Sequence, residues 1–204
     1  DPKNKKALID GKKEKNWMPV DLYVGGAEHA TRHLIYARFW HKFLYDLGIV
    51  STKEPFTRLE SVGLILGEGG AKMSKRLGNV VNPDDIVKTF GADTLRLYEM
   101  FIGPFSQASA WDPKSIVGPR RFLERLWRLG EKVGKKAKES PSTETALNRA
   151  IKKTGEDIEN FKFNTAISEL MIFLGVLEKE KEVSGKTFSV FLKLLSPFAP
   201  HLPE

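Results

Sequence analysis

The 204 residues contain no cysteine, so neither a disulfide framework nor a thiolate-held zinc is open to this chain. No apolar run approaches the roughly 18 residues that a membrane-spanning helix requires. The opening Asp1-Pro-Lys-Asn-Lys-Lys6 is charged but lacks the hydrophobic segment of a secretory signal, and it reads as an interior cut. These absences point to a reduced, cytoplasmic setting with no membrane partner. Lysine and arginine number 33 against 26 aspartates and glutamates, a net charge of +7 that suits an anionic partner and also suits plain solubility. The length is enough for a real core and two small domains.

What is present begins with Lys72-Met73-Ser74-Lys75-Arg76. The apolar run Val62-Gly-Leu-Ile-Leu66 followed by Gly67-Glu-Gly-Gly70 predicts a β-hairpin. Lys72 and Lys75 would then sit on a flexible loop closed by Gly78-Asn79. Two mobile ammonium groups there can neutralise a polyphosphate leaving group, although a merely solvated basic loop has the same composition. Upstream, Val20–Val24 predicts a strand running into Gly25-Gly26, with a helix from about Glu28 to Leu47 closed by Gly48. In an open α/β sheet, ligands sit where strands give way to glycines and helix N-termini. Glu28 at that helix start can accept from two ribose hydroxyls or simply offset the helix dipole. His29 and His33 share a face at i, i+4, which suits two metal ligands. A third would have to come from Glu28 or His41 at a different angle, so the reading is that no metal is held. Asn82 and Pro83 predict the cap and first position of a short helix to Phe90. A second helix spans Ala92–Met100 and ends before Gly103-Pro104.

From about Pro119 the apolar period becomes 3.6. Phe122, Leu126, Leu129 and Val133 form one stripe, and Leu147, Ile151, Thr154, Ile158 and Phe161 form another. Ile167, Leu170, Leu174 and Leu177 form a third, while Phe188, Phe191, Leu192 and Leu195 open a fourth. Four stripes predict a helix bundle, joined by loops over 135–145 and 179–186. Between Pro119 and Glu139 eight lysines and arginines face three glutamates. Arg121, Arg125, Arg128 and Lys132 recur on one side, as a phosphate-tracking surface or a solvated face would have them.

Taken together, Gly25-Gly-Ala-Glu-His29, Lys72-Met-Ser-Lys-Arg76, Asn82-Pro-Asp-Asp-Ile86 and Phe90-Gly-Ala-Asp-Thr-Leu-Arg96 make the stretch from Trp17 to about Pro104 resemble the second half of a class I aminoacyl-tRNA synthetase catalytic domain. Asp21-Leu-Tyr-Val-Gly-Gly-Ala-Glu-His-Ala30, Tyr36-Ala-Arg-Phe-Trp-His-Lys42 and Leu194-Leu-Ser-Pro-Phe-Ala-Pro-His201 are similar to leucyl-tRNA synthetases, so the resemblance covers nearly the whole chain. The family's His-Ile-Gly-His-like signature and its inserted editing domain have no counterpart, and Arg76 stands where the family motif usually has Ser.

The resemblance implies an α/β plus all-α chain: a partial Rossmann-like catalytic fold followed by a four-helix anticodon-binding bundle. Its segments would be a flexible basic lead-in over 1–16, a partial nucleotide-binding domain with connecting helices over 17–115, and the bundle over 116–204. It further implies a leucine-tRNA ligase using ATP with Mg²⁺ as the nucleotide complex. Lys72 and Lys75 would be catalytic, and Gly25, Gly26, Glu28, His29, Met73 and Ser74 would meet ATP or the adenylate. His33 would lie near the amino-acid pocket, and Arg121, Arg125, Arg128 and Lys132 would meet tRNA. Leucine, its tRNA and the missing N-terminal half of the catalytic domain are the implied partners. The chain alone is expected to be inactive. A subunit of a split synthetase and a non-catalytic tRNA-binding module are the alternatives.

Overall fold

A computed structural model describes residues 1–134 and 137–204; Lys135 and Lys136, within the stretch expected as a loop, lie outside the described residues. The chain forms two compact units, Asp1–Leu64 and Ile65–Glu204.

In the first unit the basic lead-in contains a helix, α1 (Gly11–Trp17), whose Asp10 side chain accepts from the Lys12 and Lys13 amides. Order therefore begins earlier than the expected Trp17. A tertiary contact secures it: buried Glu14 accepts from the Ser51 amide at 2.9 Å and the Ser51 hydroxyl at 3.0 Å. The strand β1 (Tyr23–Gly26) starts later than predicted and takes in both glycines. It pairs in parallel with β2 (Leu59–Val62), Tyr23 opposite Leu59 and Gly26 opposite Val62. Parallel strands need a crossover, and α2 (His33–Asp46) supplies it. Gly48, at φ +69, ends α2 as predicted: its amide donates to Tyr45 O and that of Ile49 to Leu44 O, a Schellman closure.

In the second unit, β3 (Ile65–Leu66) pairs in parallel with β4 (Ser109–Ala110). The predicted hairpin is thereby corrected. The apolar run over 62–66 is shared between two strands of different sheets, and its antiparallel partner is a single bridge from Leu66 to Lys72. Asn82 caps α3 (Pro83–Phe90), with Pro83 in its first turn, and α4 (Ala92–Phe101) follows after Gly91.

Five helices then share one core: α4, α5 (Val117–Leu129), α6 (Pro141–Glu159), α7 (Phe163–Leu177) and α8 (Gly185–Leu195). Leu97, Leu126, Ala150, Leu170, Phe173, Phe191 and Leu195 are at 0 % exposure, so each helix gives a side chain to it. A count of four omits α4. The α7 stripe is buried as predicted. The α6 stripe is rotated, because Ile151 is exposed while Thr143, Ala150, Thr154 and Asp157 are buried. The loop expected over 135–145 ends early, since Ser140 caps a helix that starts at Pro141. The one expected over 179–186 holds the short strand β6 (Val183–Ser184), paired with β5 (Val133–Gly134). Among the described residues no helix is long and apolar enough to cross a membrane.

Candidate functional site

The first unit carries the glycine–carboxylate element. Glu28 does not open the long helix. It lies in a 3₁₀ turn (Ala27–Thr31) separated from α2 by Arg32 at φ −128, ψ −101. Its carboxylate rests over bare backbone: a Cβ on Gly26 would fall 2.2 Å from Glu28 Oε2. Among the described residues no donor satisfies that carboxylate, which leaves it free for a ligand's hydroxyls. A Cβ on Gly25 would meet the Tyr23 ring at 3.2 Å and the His29 ring at 3.6 Å.

The break at Arg32 takes His29 and His33 off a common helical face. Their rings lie edge to face, 6.5 Å between centroids. His33 stacks on Tyr23 (5.4 Å, 10°), and its Nδ1 is 2.9 Å from the Tyr23 hydroxyl. Tyr36 and Phe56 complete an aromatic surround. Buried His29 Nδ1 has no hydrogen-bond partner among the described residues. No group of three potential metal ligands occurs among the described residues. His41 is structural: its buried ring donates from Nε2 to Thr52 O at 2.7 Å.

The second unit carries the two-lysine loop. Ser74 caps a 3₁₀ turn over Lys75–Leu77, its hydroxyl accepting from the Leu77 amide. Asn79 organises the loop: Oδ1 accepts from the Ser74 amide at 2.8 Å, and Nδ2 donates to Lys72 O at 3.3 Å. Gly67 makes room for it, because a Cβ there would lie 2.7 Å from Asn79 Nδ2. Met73 packs on the cluster of Leu95, Tyr98, Trp111 and Ile116. The backbone is thus pinned while Lys72, Lys75 and Arg76 remain exposed, and none of them is in an ion pair among the described residues. In the sequence Asn79 marks only the end of the loop; its side-chain role shows once the fold brings it against Ser74 and Lys72.

The expected basic stripe divides. Arg125 makes a two-pronged pair with Glu178 at 2.8 and 2.5 Å, and Lys132 donates to Glu178 O at 2.9 Å. These two cations fasten α5 and the turn after it to Glu178, the residue that caps α7. The Arg125 guanidinium in turn holds the Glu178 carboxyl below its ordinary range, against a smaller opposing effect of burial. Arg121 and Arg128 stay exposed; among the described residues Arg128 hydrogen-bonds its own helix at Glu124 O, and its charge adds a little to the pull on the Glu178 carboxyl. On the other flank of α5 a groove of about 770 Å³ is lined by Phe90, Leu123, Trp127, Arg128, His201 and Leu202.

The fold is that of a Rossmann-like α/β region followed by an all-helical region. A model of the family described as tRNA synthetases class I (I, L, M and V) matches residues 7–112, more than half of the chain. A second, for the anticodon-binding domain of tRNA ligase, matches residues 143–204 and takes in α6, α7 and α8. The chain belongs to the class I tRNA synthetase family.

Among solved structures it is similar to the LeuRS of an Agrobacterium radiobacter K84 agnB2 LeuRS-tRNA-LeuAMS ternary complex, at 34% identity and a TM-score of 0.86. That match covers 96% of this chain and 28% of the other, so the chain spans just over a quarter of that relative's length. Two Mycobacterium tuberculosis methionyl-tRNA synthetase structures share the fold at 19% and 20% identity, with TM-scores of 0.64 and 0.63. Each covers 92% of this chain and 43% of its own.

Proposed function

We propose that the whole protein attaches leucine to its tRNA, using ATP and passing through leucyl-adenylate. A leucine carboxylate oxygen bonds to the α-phosphorus of ATP as the bond to pyrophosphate breaks. A terminal ribose hydroxyl of tRNA then takes the leucyl group and AMP leaves. The observation that carries this reading is the pinned loop whose two lysines are in no ion pair among the described residues, in a chain that is 34% identical to the Agrobacterium radiobacter LeuRS in a match covering 96% of it.

Lys72 and Lys75 neutralise charge as pyrophosphate departs, and Ser74 with Asn79 holds the backbone that presents them. Glu28 accepts from the ribose hydroxyls, while Gly26 makes room for that carboxylate and Gly25 for the Tyr23 and His29 rings, so that the adenosine meets this glycine–carboxylate element. His29 faces the adenylate, and His33, locked by Tyr23, lies near the leucine side chain. Met73 supports the loop from the core side. Mg²⁺ fits as the nucleotide's own complex, held chiefly by phosphate oxygens and adding positive charge there. No side chain serves as a covalent nucleophile, so the gain is positional and electrostatic.

Functionally the chain divides near 115/116, the helices beyond meeting tRNA. The rest of the nucleotide-binding fold, in the same polypeptide or a separate one, covers the exposed α2 side chains Tyr36, Phe39, Trp40 and Phe43. The test is leucine-dependent pyrophosphate exchange by the full-length protein. Lys75→Ala should depress exchange strongly while tRNA affinity holds, and undiminished exchange would refute the loop's role.

A further inference from the structure

The two-lysine loop has attachments of two kinds. Asn79 and Ser74 tie the loop to itself, so they set its shape. Its place in the fold is set by Trp111. Leu66, where β3 ends, pairs in parallel with Ala110 and bridges antiparallel to Lys72, and its carbonyl accepts from the Trp111 amide at 2.8 Å. The Trp111 ring, 7% exposed, belongs to the buried cluster on which Met73 packs. One residue therefore holds the loop twice, by backbone at the bridge partner of Lys72 and by its ring's cluster under Met73.

Trp111 is in turn held by α4. Tyr98, 2% exposed, sets its ring edge to face against the indole, with 4.8 Å between centroids at 85°. Its hydroxyl accepts from the Asp112 amide and donates to Asp112 O, both at 2.9 Å. Burial raises the Tyr98 phenol above its ordinary value, so the proton that it donates stays on the oxygen. Packing alone would be met by phenylalanine at this position. The hydroxyl is spent on where the backbone of residues 111 and 112 lies, since hydrogen bonds fix direction as well as distance and ring contacts do not.

We propose that Tyr98 is a positioning residue for adenylate formation: through Trp111 it fixes where the loop, and with it Lys72 and Lys75, meets the departing pyrophosphate. This rests on the leucyl-adenylate reading and adds to it a buried side chain that acts only through others. Stabilising charge as it develops depends steeply on placement, and a displacement of about 1 Å can cost about 100-fold. The first step, in which pyrophosphate leaves, should feel the loop's place. The second, in which AMP leaves, should not, because pyrophosphate has already gone.

The test uses the full-length protein in two assays: leucine-dependent pyrophosphate exchange, and transfer of leucine from synthetic leucyl-adenylate to a leucine-accepting tRNA transcript. Tyr98→Phe should lower kcat for exchange about 10- to 100-fold while the KM for leucine and the transfer rate stay within about twofold of wild type. Tyr98→Leu, which removes the ring as well, should lose at least as much in exchange. Amide hydrogen exchange in Tyr98→Phe should quicken at Trp111 and keep its wild-type rate at Ser74, because place is lost and shape is kept. Phe191→Leu, in the helical core, is the control for plain loss of stability; it should lower the unfolding temperature and leave pyrophosphate exchange within about twofold.

If Tyr98→Phe exchanges pyrophosphate within twofold of wild type, slows both steps equally, or is matched in exchange by Phe191→Leu, the positioning role falls. The wild-type protein separates the two ideas. Leucine-dependent exchange in wild type with an indifferent Tyr98→Phe overturns only the positioning role, whereas a wild type without such exchange overturns the function reading and this role with it.

Discussion

Replacing Asp93 with alanine should release the segment 197–202 from α4. Asp93 sits in the first turn of α4 at 9% exposure and accepts three N–H donors. The imidazole of His201 is mostly exposed and rehydrates when the carboxylate is gone, so that contact contributes at most about 1 kcal/mol. The His201 amide, at 3.3 Å, adds little. The Leu202 amide at 2.8 Å is the strong one, a charge-assisted bond worth about 1.5–3 kcal/mol net. The total is about 2–4 kcal/mol, bounded above because the segment can peel into water once its anchor is lost. Amide hydrogen exchange over 197–204 reads this directly, and protection should fall roughly 30- to 700-fold in Asp93→Ala. Arg96, which donates to Phe198 O at 3.1 Å and Pro197 O at 2.8 Å, keeps the first part of the segment in place, so the loss should be graded toward the C-terminal side. His201→Ala should have a much smaller effect. Equal losses in the two variants, or a change under threefold in Asp93→Ala, would refute the assignment of the anchor to the backbone amide.

Gly26→Ala should push the Glu28 carboxylate aside at little cost in stability, because only the end of a flexible side chain must move; leucine-dependent exchange should drop by up to about 100-fold. Arg125→Ala should cost at most about 1 kcal/mol, as both partners are over a third exposed, and should let the Glu178 carboxyl rise toward its ordinary range, visible by NMR titration. Its effect on RNA affinity should be smaller than that of Arg128→Ala, and the reverse order would return Arg125 to the RNA face. Hydrogen bonds from Arg38 and then Lys42 bring the Glu54 carboxyl down to about 2. A depressed carboxyl contributes stability above its unfolded value and loses it as pH falls through the folded one, so the Arg38–Glu54–Lys42 cluster should persist at pH 3 and fail near pH 2 by carboxylate NMR.

Legibility in the sequence followed the range of the forces involved. The closure at Gly48, the Asn82–Pro83 entry and the α7 stripe depend on a few neighbouring residues, and each formed as its pattern predicts. The predicted hairpin failed because β3 found its ladder at Ser109–Ala110, more than forty residues away. The α6 stripe turned because α6 must pack between neighbours, and it ends in a Schellman closure that holds Phe161 at φ +56. That left-handed position costs a non-glycine residue roughly 1–2 kcal/mol. The ring's contacts with Phe105 and Phe163, at 5.1 and 5.6 Å, offset it.

The basic stripe is the more instructive case. Periodicity gave four cations the same side of a helix, but it could not say that Glu178 lay within reach of one end of that side. A cation's availability to a ligand depends on which carboxylates the fold brings near it, and that is non-local. The same reasoning runs in reverse for two stretches legible only as separate motifs, 90–96 and 194–201. Asp93 and Arg96 supply the acceptors and donors for the backbone of 197–202, so the two stretches are halves of one clamp. The opposite side of α4 places Leu95 and Tyr98 in the cluster on which Met73 of the lysine loop rests. One short helix therefore fixes both the support of the proposed phosphate loop and the end of the helical region. Its polar residues are spent on that fixing, which is why Asp93 and Arg96 read as motif letters in the sequence and as structure in the fold.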